Sequence, residues 1–184
     1  VRLLDENSPG YYFLMGQLLL LTRQHDKAIK SGERAVSLSP NNSTYLNGLA
    51  IIHRYNGEPE KALSLQKKAM RLNPYPESLY YTNLGHVYID NEKYEEAIQA
   101  YSKAAQISPN QFLNHLGLAG AYSQLGHNEK ARAAMSETLA LRPQLSIEWA
   151  KTLPYRHKTD LDPAVARMEK AGLPKHPPLP LPDK

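Results

Sequence analysis

Residues 78–111 read SLYYTNLGHVYIDNEKYEEAIQAYSKAAQISPNQ, and this stretch decides the fold. Its apolar and small residues fall at helical spacing twice over. Tyr81, Leu84, Gly85 and Tyr88 make one stripe, and Ala97, Tyr101 and Ala104 make a second that faces it. Gly85 and Ala97 are small enough for two helices to approach closely. Pro109 ends the second helix, because a proline disfavours α geometry in the residue before it. The unit is therefore a helix, a turn and a helix.

The same landmarks recur along the chain. Ala28, Ala62, Ala97 and Ala131 are separated by 34, 35 and 34 residues, and Pro40, Pro74, Pro109 and Pro143 repeat those steps. So do the small residues Gly16, Ala50, Gly85 and Ala119. Three position classes in one register describe a solenoid in which each helix pair buries its apolar face on the next. The units run over about 9–42, 43–77, 78–111 and 112–145, together forming a domain over 1–145. The one inserted residue falls in Tyr75-Pro76-Glu77, where a loop absorbs it cheaply. Between the two helices of a unit, Gly57-Glu58-Pro59 and Gly126 mark the turns.

After Leu145 the period breaks, and 146–173 reads as a capping segment. Ser146–Lys151 continues helically, with Trp149 covering the open face of the fourth unit. Leu153-Pro154-Tyr155 is a turn. Asp162 is the expected N-cap of a last helix, with Pro163 as its first residue, Val165, Met168 and Ala171 on one face, and Gly172 just past its end. The Pro-rich tail over 174–184 is expected to be extended, either as a free end or as a polyproline ligand.

The bulk composition excludes several classes. No cysteine is present, so disulfides and thiolate metal sites are ruled out. The apolar run Leu18–Leu21 is far too short to cross a membrane, and no signal-peptide pattern precedes the first unit. A cytoplasmic location and no membrane contact are expected. The net charge of +4 is mild and the cations are scattered, so nucleic acid is not an expected partner. The chain begins at Val1, not Met, which reads as a fragment of something longer. His25, His53, His86, His115, His127, His157 and His176 stand at no ligand spacing, and no phosphate-cradling loop or nucleophile elbow appears. No enzyme activity, metal or cofactor is expected of these residues.

With the register fixed, the chain resembles the tetratricopeptide repeat family over residues 9 to 145. The third unit carries the family pattern best, in Tyr81, Leu84-Gly85, Tyr88, Ala97, Tyr101, Ala104 and Pro109. Departures are Gly32 and Gln66 where an aromatic is usual, His53 in a Tyr position, and Thr138 for an Ala. The resemblance implies an all-α, right-handed superhelical solenoid of four repeats with a C-terminal capping helix. It also implies that the first helices of the repeats line a concave face where protein or peptide partners bind. The register places Phe13, Gln17 and Leu20 there, then Asn47, Ile51 and Arg54, then Thr82, His86 and Ile89, and last Leu116, Gly120 and Ser123. Chaperone-binding members hold a C-terminal carboxylate with Lys, Asn and Arg. The corresponding positions here are Phe13, Gln17, Gly48, Leu79 and Asn83, which build no such clamp. The groove either takes a partner, faces solvent, or is filled by the last helix or tail.

A narrower resemblance lies in Leu153-Pro154-Tyr155-Arg156, Asp160-Leu161 and Met168-Glu169-Lys170-Ala171-Gly172-Leu173-Pro174. These look like the closing element of bacterial class III adenylate/guanylate cyclases, as do Arg34-Ala35-Val36 and the Asn73-Pro74-Tyr75-Pro76 bend. That resemblance implies a regulatory domain in cAMP-type signalling, acting on upstream domains of the same chain. Tetratricopeptide arrays of winged-helix transcriptional regulators and free-standing scaffolds are the alternatives. A homodimer is compatible with all three.

Overall fold

The structure is a computed structural model that describes residues 7–178, so the stretch Leu179–Pro182 of the tail lies outside the described residues. Four helix pairs follow in chain order. They are α1 (Pro9–Leu21) with α2 (His25–Leu38), α3 (Ser43–Tyr55) with α4 (Pro59–Leu72), α5 (Ser78–Asp90) with α6 (Tyr94–Ile107), and α7 (Phe112–Gln124) with α8 (Asn128–Leu141). A short α9 (Ile147–Ala150) and a longer α10 (Lys158–Lys170) complete the molecule.

Local chemistry starts these helices where it should. Ser8 Oγ accepts from the Tyr11 amide at 3.2 Å, and Asn42 Oδ1 accepts from the amides of Thr44 and Tyr45 at 3.0 and 3.2 Å. Pro59 stands at the start of α4, where its missing N–H costs nothing. The turn inside each repeat needs a residue at positive φ: Arg23 (58°), Gly57 (81°), Glu92 (58°) and Gly126 (74°) occupy it in order. Two of the four are not glycine, so the repeat geometry overrides the local preference there.

The first helices touch one another in series, α1 to α3 to α5 to α7, while α2, α4 and α6 each pack on the first helices before and after them and α8 packs on α7. That asymmetry curves the stack and puts α1, α3, α5 and α7 on the inner face. The core is thin and repeats with the sequence. In the third repeat Tyr101 is fully buried and its ring is wedged between Gly85 and Gly117, where a Cβ would overlap it. Where the first repeat has Gly32 in place of the aromatic, Leu49 and Ile52 of α3 fill the space. Gln66, the substitute in the second repeat, is fully buried and donates from Nε2 to the Tyr80 carbonyl at 3.0 Å.

The last helix corrects the sequence reading. It begins at Lys158, with His157 as N-cap, and Pro163 lies inside it. The His157 carbonyl accepts from the amides of Asp160 and Leu161 at 3.1 and 3.2 Å, which closes a turn before the proline is reached. Pro163 then forfeits only the bond to the Thr159 carbonyl, on an exposed residue that water can serve. Packing of α10 on α7 and α9 outweighs that loss. Trp149 stacks edge-on against Phe112 with ring centroids 6.0 Å apart, and Val165, Met168 and Ala171 join the fourth repeat's core.

One contact ties α10 to the second repeat. A Cβ at Gly57 would stand 2.5 Å from Asp160 Oδ2, and φ there is +81°. Gly57→Ala is therefore expected to lower stability by about 1–2 kcal/mol from the left-handed backbone alone, with more from displacing Asp160. A urea midpoint unchanged from the parent protein would contradict this.

Candidate functional site

The inner face is not empty. After α9 the chain turns back across it, and Pro154-Tyr155-Arg156 lands on the far repeats. Tyr155 is buried, with its ring edge-on to Tyr55 at 4.9 Å between centroids. Arg54 of α3 donates from Nη2 to the Tyr155 hydroxyl at 2.5 Å and from Nε to Asp90 Oδ2 at 2.6 Å. Arg167 of α10 donates from Nη2 to the other Asp90 oxygen at 2.9 Å. A single carboxylate at the end of α5 thus joins the second repeat, the third repeat and the last helix.

Further contacts reach the first repeat. Arg23 donates to the carbonyls of Thr152, Leu153 and Tyr155 at 3.1, 3.1 and 3.2 Å. The Arg156 amide bonds to the Tyr55 carbonyl at 2.8 Å, and its side chain reaches Asp26 Oδ1 at 2.6 Å and Asn56 Oδ1 at 3.0 Å. Burial, then Arg156 and Arg23, push the His25 imidazole below its ordinary range.

Between the returning helix and the inner face lies a cavity of about 160 Å³. Its wall includes Arg54, His86, Leu116, Gly120, Trp149 and Met168. His86 Nδ1 and the Tyr101 hydroxyl are 2.6 Å apart. Burial, with Arg54 and Arg167 adding to it, pushes the His86 pKa well below 6.5. The folded protein therefore holds His86 neutral while the unfolded chain takes up a proton below about pH 6.5. Stability is full above that pH and declines as pH falls, by up to ~1.4 kcal/mol per unit for one such group, with His25 acting in the same direction. Replacing His86 by Gln is expected to flatten the decline between pH 7 and 5.5 in urea titrations; an unchanged slope would refute it.

The register-derived residues divide into distinct environments. Arg54, His86, Ile89, Leu116 and Gly120 converge on the cavity. Asn47 and Thr82 are buried between successive first helices instead. Asn83 Nδ2 donates to Asn47 Oδ1 at 3.1 Å, and Thr82 Oγ1 donates to Asn114 Oδ1 at 2.6 Å. Phe13 tilts against Tyr45 and, with Gln17, lies over Gly48. Ile51 is half-buried beside the core of the first two repeats. Leu20 and Ser123 do not reach the groove surface: Leu20 is core with Ala28 and Ile52, and Ser123 bonds to the Gly120 carbonyl at 2.8 Å. Polar side chains of successive first helices bond to one another, which a register alone does not reveal. Asp90, Arg167 and Arg23 carry no repeat signal, and the turn reading of Tyr155 and the family resemblance of Arg156 give neither a place in the groove. The one available signal was Tyr155, an aromatic between proline and arginine just after the period breaks.

Among the described residues no group of three or more His, Asp or Glu side chains could hold a metal ion. No helix among them is long and apolar enough to cross a membrane.

Comparison with known proteins places this geometry. Residues 88–153 match the family model for the tetratricopeptide repeat, and residues 22–104 match that for anaphase-promoting complex, cyclosome, subunit 3. Small glutamine-rich tetratricopeptide repeat-containing protein 2 of Mycosarcoma maydis is 26% identical over 118 residues, covering 64% of this chain and 33% of that protein. The chain spans about a third or less of the length of the curated relatives it matches. Among solved structures, the tetratricopeptide protein TTC0263 of Thermus thermophilus superposes with a TM-score of 0.67 at 25% identity, covering 89% of this chain and 90% of that one. A chain of the APC/C hetero-tetramer Cut9-Hcn1 gives a TM-score of 0.71 at 21% identity, covering 83% of this chain and 30% of its own. With helices paired in four successive repeats and an inner face built from the first helix of each, this chain is a tetratricopeptide-repeat solenoid.

Proposed function

We propose that this chain is a protein-recognition module whose inner groove is kept closed by its own residues 147–173. The observation that carries this reading is the seat of Tyr155 on Arg54 and Asp90, a built polar site that an extended segment enters from outside the repeats. A partner able to compete would present similar chemistry: an aromatic hydroxyl followed by an arginine, next to an apolar helix. Arg54, His86, Ile89 and Leu116 would then meet the partner on opening. Phe13, Gln17 and Ile51 form the part of the groove nearest the first repeat, and Asn47 and Thr82 shape it from below. The hetero-tetramer that contains the Cut9 fold is an assembly of the kind such a module would join.

The experiment uses a labelled peptide covering residues 150–173. A chain carrying Tyr155→Ser and Arg156→Ser, whose own segment is loosened, should bind it at least about tenfold tighter than the parent does, the worth of one or two charge-assisted hydrogen bonds. Equal binding, or none to either, removes the closed-groove reading.

On the resemblance of residues 153–174, the finer assignment is a regulatory domain of a bacterial class III adenylate/guanylate cyclase. Displacing the segment would then shift how the catalytic domains pair. Sequencing the coding region upstream of Val1 tests this. A class III catalytic domain with its paired aspartates is the expected result, and a winged helix or a start codon close to Val1 would overturn it.

A further inference from the structure

The cavity under α10 has an unbalanced wall. Arg54 and Arg167 bring two positive charges and share one carboxylate, Asp90. None of the residues that line the cavity is acidic. Hydrogen bonds occupy Nε and Nη2 of Arg54 and Nη2 of Arg167, and the Arg54 guanidinium lies over the rings of Tyr55 and Tyr155 at 4.7 and 5.3 Å. Tyr101 adds to this bias. Its hydroxyl is buried with His86 Nδ1 as its hydrogen-bond partner, so its hydrogen is satisfied only if the tyrosine donates. His86 then carries its own hydrogen on Nε2, as a third donor at the cavity. Asp90, Glu92 and Asp160 stand with the same two arginines around a neighbouring pocket, whereas the wall of this cavity holds donors and no carboxylate, which favours an acceptor.

The rest of the wall is apolar: Leu113, Leu116, Trp149, Leu153 and Met168 surround the open space. Its volume of about 160 Å³ is close to the ~150 Å³ at which an apolar protein cavity takes up benzene. Gly120 deepens it, because a Cβ there would meet no atom within 4 Å.

We propose that this cavity is a binding site for a small organic carboxylate with an apolar body about the size of one ring. The carboxylate pairs with guanidinium N–H groups of Arg54 and Arg167, with His86 Nε2 as a further donor, and the body lies against Leu116, Trp149 and Met168. Because α10 roofs the cavity, such a ligand binds the closed form alone and strengthens the hold of residues 147–173 on the groove. The inference does not depend on which partner the groove recognises.

Benzoate is the probe and benzyl alcohol its uncharged counterpart, both followed by calorimetry and by thermal unfolding of the whole chain. Benzoate should bind saturably and raise the melting temperature, about tenfold tighter than benzyl alcohol. Arg167→Gln, on the half-buried face of α10, should weaken benzoate about tenfold more than it weakens benzyl alcohol. Gly120→Leu should fill the cavity and abolish both, with helicity and melting temperature retained. If Gly120→Leu does not fold, the Arg167→Gln comparison still decides. Absence of saturable benzoate binding overturns the proposal. So does equal affinity for the alcohol, or parent-like benzoate binding by either variant.

Discussion

Asp90→Ala is expected to lower stability by about 3–5 kcal/mol and to release the C-terminal segment, the largest loss from any single polar change. Arg54 is buried and its burial opposes its charge, yet the Asp90 carboxylate, followed by Tyr155, keeps its pKa well above the ordinary value. Removing the carboxylate leaves that guanidinium and the Arg167 guanidinium facing each other without a counter-charge. The cheapest response is to let α10 and Tyr155 leave, so that water reaches both arginines. Limited proteolysis should then cut between Ala150 and Lys158 in the variant and spare the parent. Asp90→Asn keeps the shape but not the charge, and should fall between the two. A urea midpoint for Asp90→Ala within ~1 kcal/mol of the parent would show that the two arginines are solvated already.

Tyr101→Ala is expected to cost about 3–5 kcal/mol, as for other fully buried aromatic side chains. The ring occupies the space that Gly85 and Gly117 leave open, with a Cβ at Gly85 only 2.7 Å from its Cε1. Neither backbone can close the gap without breaking the stack of α5, α6 and α7. Tyr101→Phe separates the ring from the hydroxyl and should cost only about 1 kcal/mol, the net worth of one hydrogen bond. A double-mutant cycle gives the sharper test. Gly117→Ala alone forces its methyl into the ring and destabilises, whereas in the Tyr101→Ala background the same methyl fills part of the void. The sign of the Gly117 effect should therefore reverse. Additive losses would mean that the helices collapse around the missing ring.

The four helix pairs were legible because stacking imposes the same demand every 34 or 35 residues. A small residue is needed where two helices cross, and a proline where the second helix stops. Even the departures could be located, although their compensation could not: nothing in Gly32 announces that Leu49 and Ile52 fill its space. The site was legible only in part. Arg54, His86 and Ile89 stand on the inner face by register alone. Tyr155 meets Arg54 across 101 residues and Asp90 across 65, and no period links those positions. The start of α10 was misplaced for a related reason. Pro163 marks a helix start by local rules, but packing on α7 extends the helix five residues ahead of it.

The hold of Arg23 on the carbonyls of Thr152, Leu153 and Tyr155 spans 129 to 132 residues and joins the first repeat to the returning segment. An open repeat array has two frayed ends, and its stability is a sum over neighbours. Tying the last segment to the first repeat closes the array into a circuit, so loss of either end removes support from the other. Amide hydrogen exchange should report this directly. Protection in α1 and α2 should match that in α10 instead of grading toward the ends, and both should drop together in Arg23→Ala. The circuit also raises the contact order above that of any single repeat, so the final folding step should be slower than helix pairing. A molecule assembled from local parts would then melt as one cooperative body.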